Sequence, residues 1–265
     1  MKLLFTLTIL FFSLSCPGFS PPKAIKGIID LSSIDLKKEK QIPLNGQWNF
    51  YWKKIIKPEE VLNKKLPLRS KLIEVPGLWT SLTKSQKDSK KFQTGYGSYL
   101  LYVKGLNYKS KLGFTLKYFA TAYSSYIITK SEIIPLFRIG KVGKSEEESI
   151  PTTATRIAEL NIKESEFYIL IQSSNYHYRT GGFFNPFLIG TSKSINEKVI
   201  SNFLKSFFLM GVILIMSLYH FGLYSLRRKD LGSFWFGVLC FVLFLREGTT
   251  ETFLMQFMFL VNSCL

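Results

Sequence analysis

Histidine occurs twice in the chain, so any catalytic site that needs an imidazole base has few places to form. His177 lies in a polar stretch and His220 lies within an apolar run. No Gly-x-Ser-x-Gly turn accompanies them, and the sequence has no HExxH motif, no paired CxxC, no calcium loop and no glycine-rich phosphate loop. The acidic run 146–148 is typical of a solvated loop. The sequence therefore predicts a protein that is not an enzyme and uses no metal ion or cofactor.

A polar and aromatic stretch that follows an apolar segment provides candidates for ligand binding instead. Sugars are bound by aromatic rings, which cover their C–H faces, and by planar polar groups, which bond their hydroxyls. The predicted binding residues for a carbohydrate or other small ligand are Trp79, Tyr96, Asn175, His177, Tyr178 and Arg179. The alternative is that Asn175 holds a turn, that Tyr178 packs against a sheet and that Trp79 lies in the core.

The C-terminal quarter of the chain has the composition of membrane helices. Residues 206–226 contain no Asp, Glu, Lys or Arg and are followed directly by Arg227, Arg228 and Lys229. This pattern predicts a first transmembrane helix over 203–226 and a cytoplasmic loop over 227–230, because short positive loops stay inside. A second apolar run predicts a returning helix over 231–248, and residues 252–265 are expected to be part of a third.

Polar residues inside these helices are candidates for contacts between helices. A polar side chain at membrane depth usually faces other helices, so His220 and Tyr224 are expected to pack or to transmit a signal there. Arg246, near the end of the second helix, is expected to reach a membrane interface.

The N-terminus has the features of an export signal over residues 1–16, with Lys2 before an apolar stretch of leucine and phenylalanine. Cys16 raises the alternative of a lipidated cysteine, although Ser13 replaces the large aliphatic residue that such a site usually has. A signal of either kind agrees with the positive loop after the first helix. Together they predict a multi-pass membrane protein whose N-terminal domain, residues 23–200, lies outside the cytoplasm.

The chain carries a net charge of +17, mostly from lysines in its first three quarters. Lysine pairs are scattered, arginine is rare before residue 203, and no recognition motif accompanies them, so we expect no nucleic-acid partner. Anionic membrane lipid or acidic polysaccharide is a better match for this charge, and a simple bias toward lysine is a better explanation still.

Between residues 40 and 195 apolar residues alternate with polar ones, and turn residues interrupt the pattern every 8–15 positions. Strands are expected at 46–52, 96–103, 112–117, 124–129, 167–172 and 183–189. No alternation of strands with helices is visible. The expected fold is mainly β, a jelly-roll β-sandwich, followed by transmembrane α-helices.

Several strings carry a resemblance to known families. Residues 43–51 (PLNGQWNFY), 75–79 (VPGLW) and 95–99 (GYGSY) resemble the galactose-binding-like jelly roll of many bacterial sensor proteins and of family 2 glycosidases. Residues 217–229 (SLYHFGLYSLRRK) resemble the end of the first helix in bacterial seven-transmembrane receptors with diverse intracellular signalling modules. The order of these strings over residues 40–258 resembles the N-terminal part of such a receptor.

This resemblance implies an extracytoplasmic sensor domain that binds a ligand and passes a signal to a block of membrane helices. Receptors of this family have seven helices and an effector domain, whereas this chain has two helices and part of a third. A signalling effector would then be a separate cytoplasmic partner. Two alternatives stay open, an anchored surface or periplasmic binding protein of the adhesin type, and a non-functional fragment of a truncated receptor.

Overall fold

The computed structural model describes residues 20–39, 41–83, 89–108, 111–116, 119–152 and 156–249. In these residues strands predominate from Ile28 to Thr191, and two long helices follow. The prediction of a mainly β domain followed by helices of membrane length is confirmed. Cys16 and the expected third helix, residues 252–265, lie outside the described residues.

All the strands expected from the sequence pattern are present, although several are shorter or longer than expected. They are β1 (Ile28–Asp30), β2 (Gln41–Pro43), β3 (Gly46–Trp52), β4 (Lys71–Val75), β5 (Gly77–Leu78), β6 (Gly95–Lys104), β7 (Leu112–Leu116), β8 (Phe119–Ala120), β9 (Ala122–Ile128), β10 (Ile133–Ile139), β11 (Arg156–Leu160), β12 (Phe167–Asn175), β13 (Gly182–Phe183) and β14 (Phe187–Thr191). The expected strand 183–189 is therefore two strands in two different sheets. A short helix, α1 (Pro58–Leu62), and two 3₁₀ turns, Trp79–Leu82 and Lys90–Phe92, lie between strands.

Within the described residues the strands form two main sheets and one small one. The larger sheet has the order β10-β9-β12-β6-β3-β4, and β1 pairs in parallel with the second half of β6. The smaller sheet has the order β11-β7-β14-β2, and its pairs are antiparallel. The short strands β5, β13 and β8 form the third sheet.

The core lies between the two main sheets. Trp48 and Phe50 of β3 point inward from the larger sheet, as their alternation predicts, and both are almost fully buried. The ring of Phe187 on β14 of the smaller sheet lies 6.4 Å from the Trp48 ring and 6.4 Å from the ring of Phe137 on β10 of the larger sheet. These contacts across the layers make the domain a two-layer β-sandwich.

Two helices, α2 (Ser192–Leu226) and α3 (Leu231–Gly248), follow the sandwich, and both are long and apolar enough to cross a membrane. Helix α2 has 35 residues, so it is about 52 Å long at 1.5 Å per residue. It begins at Ser192, directly after β14. Residues 192–200, which were expected to belong to the domain, are therefore the first part of this helix. A hydropathy pattern detects only the apolar part of a helix.

The sandwich has two ends of different character. Residues 161–166 join the end of β11, which pairs with the start of β7, to the start of β12, and the start of β7 also pairs with the end of β14, from which α2 leaves. We call this the helix end. Strand β12 begins there, paired with Val103, and it finishes at Asn175, paired with Gly95, at the opposite or loop end. Nine residues of extended β12 place the two ends about 26 Å apart.

Candidate ligand-binding site

The loop end of the sandwich is built from segments that follow or precede three strands of the larger sheet. Residues 176–181 follow β12, residues 89–94 precede β6, and residues 140–149 follow β10. The strands hold these loops side by side because β12 pairs with both β6 and β9 over most of its length. Most of the predicted binding residues lie here.

Asn175 is the last residue of β12, and its side chain is fully buried beneath the loops. Its amide nitrogen donates to the carbonyl oxygens of Gln93 at 3.0 Å and Tyr178 at 2.9 Å, and its oxygen accepts from the backbone N–H of Tyr178 at 3.0 Å. The side chain therefore joins two loops. In this arrangement Asn175 holds a turn, which is the role that the alternative gives it.

Trp79 is also fully buried, and it lies in the core, where the alternative places it. Its indole N–H donates to the hydroxyl of Tyr99 at 2.6 Å, and its ring stacks on Phe50 with centroids 6.0 Å apart. Gly181 lies against the same ring, since a Cβ added there would be 2.3 Å from a Trp79 ring carbon. Burial raises the pKa of Tyr99, although the hydrogen bond from Trp79 acts in the opposite direction, so the hydroxyl stays protonated at neutral pH.

His177, Tyr178 and Arg179 are the predicted binding residues that the structure exposes together. The Tyr178 side chain is 58% exposed, although aromatic rings of this size are mostly buried in a sandwich. His177 has a carboxylate neighbour, with its Nδ1 atom 3.9 Å from Oε1 of Glu146. The three residues present an aromatic face, an imidazole and a guanidinium to solvent on one short loop.

Tyr96 and Tyr176 lie beside this loop, and both are half-buried. The Tyr176 hydroxyl donates to the carbonyl oxygen of Lys144 at 2.6 Å, which fixes loop 140–149 against loop 176–181. Burial raises the pKa of Tyr176, and Tyr96 and the carboxylates of Glu148 and Glu147 raise it further. Tyr176 is thus a neutral anchor of the site.

Phe184 is a residue of this surface that the sequence analysis missed. Its ring is 42% exposed and meets the ring of Tyr178 edge-on, with centroids 6.2 Å apart. Phe183, its neighbour, is buried in the core. The signal was present in the sequence, because alternation places the second of two adjacent phenylalanines on the opposite face of a strand.

The loop end has no arrangement that suggests a metal centre. Among the described residues, no three His, Cys, Asp or Glu side chains lie close enough to hold an ion. Glu147 has a pKa below its ordinary value because the Ser145 hydroxyl and a backbone N–H donate to it. The chemistry that this surface offers is therefore stacking and hydrogen bonding.

The predicted membrane residues lie at the contact between α2 and α3 or near its end. The His220 ring packs on Phe236 with centroids 4.5 Å apart, and Tyr224 packs on Phe234 with centroids 5.0 Å apart. Nδ1 of His220 is shielded from solvent and has no hydrogen-bond partner in the described part of the chain. Arg246, in the last turn of α3, is exposed.

The hydrogen bond that joins these helices comes from a residue that the sequence analysis did not single out. The hydroxyl of Ser217, which is fully buried, donates to the carbonyl oxygen of Gly237 at 2.9 Å. A Cβ at Gly237 would lie 3.0 Å from the Phe221 ring, so a glycine there permits the close approach. In the sequence, a serine in one apolar helix and a glycine in the next are the residues that indicate such a contact.

Comparison with known proteins gives similarity in structure and not in sequence. No protein-family model and no curated protein matches the sequence. A family GH2 β-galacturonidase from Eisenbergiella tayi, solved with galacturonate, is 15% identical over 57% of this chain and 24% of its own, with a TM-score of 0.38. A β-glucuronidase from Ruminococcus gnavus is 12% identical over 57% of this chain and 29% of its own, also with a TM-score of 0.38. This chain thus spans about a quarter of the length of the glycosidases to which it is similar.

Proposed function

We propose that this chain is the outer part of a membrane-anchored sensor whose β-sandwich binds a carbohydrate or another small ligand at the loop end. The observation that carries the proposal is the exposure of His177, Tyr178 and Arg179 on one loop, at the end of the sandwich opposite to the helix. A ligand there approaches from the side that faces away from the helices. Proteins bind saccharides through aromatic faces with planar hydrogen-bond donors beside them.

The sensor interpretation also rests on the helices that follow the sandwich. In this proposal α2 and α3 cross the membrane, and the chain between them lies in the cytoplasm, because three basic residues, Arg227, Arg228 and Lys229, are placed there. The sandwich is then extracytoplasmic, and a separate cytoplasmic effector receives the signal. The resemblance of residues 217–229 to seven-transmembrane receptors supports this role.

Binding is tested with the full chain in lipid nanodiscs against an array of neutral and acidic cell-envelope oligosaccharides. We expect saturable binding of at least one saccharide class, and a weakening of about tenfold in Arg179→Ala or Tyr178→Ala, since the loss of one interaction of about 1.4 kcal/mol changes affinity tenfold. Lys163→Ala is the matched control, because Lys163 is an exposed cation at the helix end. The absence of saturable binding, or binding that both loop variants leave unchanged, contradicts the proposal.

Topology is tested by replacing Lys229 with cysteine and reacting whole cells with a thiol reagent that does not cross membranes. We expect Lys229→Cys to react only after the cells are opened, and Lys163→Cys to react in cells whose inner membrane is intact. Reaction of Lys229→Cys from outside would reverse the proposed orientation. Saccharide binding without any change at the cytoplasmic loop would favour the anchored binding protein over the sensor.

A further inference from the structure

The sandwich and α2 are joined without a linker. Thr191 is both the last residue of β14 and the residue that caps α2. Its hydroxyl accepts from the backbone N–H of Ser194 at 3.1 Å, and the Ser194 hydroxyl donates to the Thr191 carbonyl oxygen at 2.9 Å. A cap of this kind satisfies N–H groups that an open helix end leaves free and fixes where the helix begins.

The first turn of α2 is also bonded to neighbouring parts of the smaller sheet. The Gln41 amide on β2 donates to the carbonyl oxygen of Ser194 at 3.0 Å, and the backbone N–H of Ser192 donates to the carbonyl oxygen of Lys111, just before β7, at 3.1 Å. The Asn196 amide donates to the carboxylate of Glu159 on β11 at 2.9 Å. Because β14 continues into α2, all four strands of the smaller sheet are connected to the first turn of the helix. The connection to β7 is made by Lys111, the residue before that strand.

An apolar contact reinforces these hydrogen bonds. Ile195 is 1% exposed, and its side chain lies over Gly113, the second residue of the inner strand β7. A Cβ at Gly113 would be 2.7 Å from Cγ1 of Ile195 and 3.3 Å from Cα of Ser192, so the Ile195 side chain or the first turn of the helix would have to shift. Glycine at this position therefore lets the helix lie directly on the sheet.

Charge favours the same arrangement. The N-terminus of a helix carries a partial positive charge, and a carboxylate near it is stabilising. Hydrogen bonds from the side chains of Ser192 and Asn196, with a smaller contribution from Lys111, hold the pKa of Glu159 below its ordinary value despite partial burial. The Glu159 carboxylate is thus ionised at neutral pH and faces the first turn of α2.

From this geometry we infer that the smaller sheet and the first turn of α2 form one rigid coupling unit, which carries a displacement of the sandwich directly into the candidate membrane helix. A helix about 52 Å long converts a tilt of about 5° at the junction into a movement of about 4.5 Å at its far end. This inference goes beyond the proposed function and does not depend on a ligand, since the junction would be equally rigid in a protein that binds no saccharide.

The experiment measures a distance across the junction in the full chain in nanodiscs. The native cysteines are replaced by serine, and spin labels are placed at Arg138→Cys on β10 and Lys198→Cys on α2, both of which are exposed positions. Pulsed electron–electron resonance then reports the distribution of distances between the labels. We expect one narrow distribution in the parent, because no hinge separates sheet and helix.

Gly113→Ala is the decisive variant, and Gly211→Ala is its matched control. A Cβ at Gly211 meets nothing within 4 Å, so the control should reproduce the parent distribution. We expect Gly113→Ala to broaden the distribution or to shift it by more than the parent's width. If Gly113→Ala does not fold, Ile195→Ala and Gln41→Ala test the same contacts by removal and are expected to broaden the distribution.

Two results would overturn the inference. One is a broad parent distribution, which would show a hinge between Thr191 and the helix. The other is a parent distribution that folded junction variants leave unchanged. Neither result bears on saccharide binding at the loop end, so failure of this inference and failure of the proposed function are distinguishable.

Discussion

Asn175 offers a direct test of whether the loop end is organised by buried polar groups or by the ligand that it binds. Replacing Asn175 with alanine removes three short hydrogen bonds, two donated to Gln93 and Tyr178 and one accepted from Tyr178, and a longer one accepted from the Thr121 hydroxyl at 3.4 Å. Each short bond is worth about 1 kcal/mol, so the free energy of unfolding should fall by about 3 kcal/mol. A domain of 150–250 residues loses about 2–4 °C per kcal/mol, which predicts a Tm lower by about 6–12 °C.

The assay is thermal unfolding of the full chain in nanodiscs, followed by tryptophan fluorescence. Three of the four tryptophans, Trp48, Trp52 and Trp79, lie in the sandwich, so the signal reports mainly on this domain. Asn175→Asp keeps the acceptor oxygen, but it loses both donated bonds and places a charge opposite two carbonyl oxygens. We expect it to be at least as unstable as Asn175→Ala.

His177→Ala is the control, because His177 is two residues away and exposed, and its closest charged contact is 3.9 Å long. Substitutions of this kind usually change stability by less than about 0.5 kcal/mol, so the Tm should stay within about 2 °C of the parent. The reasoning is refuted if Asn175→Ala melts with the parent. Loss of saccharide binding at an unchanged Tm would show that Asn175 contacts the ligand itself.

Two further predictions concern the core and the junction. Tyr99→Phe leaves the buried indole N–H of Trp79 without an acceptor and should cost about 1–3 kcal/mol, measured by chemical unfolding, and a change below 0.5 kcal/mol would contradict the assigned bond. Glu159 has a folded pKa below its ordinary 4.5, so its stabilisation is present above that pH and is lost as the pH falls through the folded pKa. The distribution of distances between labels at positions 138 and 198 should therefore broaden in acid. Glu159→Gln should remove that part of the pH dependence. An identical acid response in both proteins would exclude Glu159 as its source.

The sequence predicted the regular parts of the fold well, since a local pattern determines them. Strand β3 was expected at its observed bounds, because Trp48, Phe50 and Trp52 alternate with polar residues. Strand β12 was expected to finish at residue 172 and continues to Asn175. Its last residues are serines and asparagine, which have low strand propensity and are held in the sheet by pairing with β6 and β9.

The candidate site was predicted in part. The loop that carries His177, Tyr178 and Arg179 was identified from residue types, and the structure exposes all three. Residue type alone does not distinguish these exposed residues from the buried Trp79 and Asn175, because a buried and an exposed aromatic or amide residue look alike in sequence. Their burial depends on Tyr99 and Gln93, which lie 20 and 82 residues away along the chain.

By itself, the sequence determined the mainly β character of the first part and the apolar length of the helices, because alternation and hydropathy are properties of neighbouring residues. Tertiary structure alone decided where α2 begins and what fixes it. Residues 192–200 are polar enough to be assigned to the domain, and their helix is stabilised by Gln41, Gly113 and Glu159 on three different strands. Contacts between residues so far apart in the chain depend on the pairing of the strands, which no local pattern specifies.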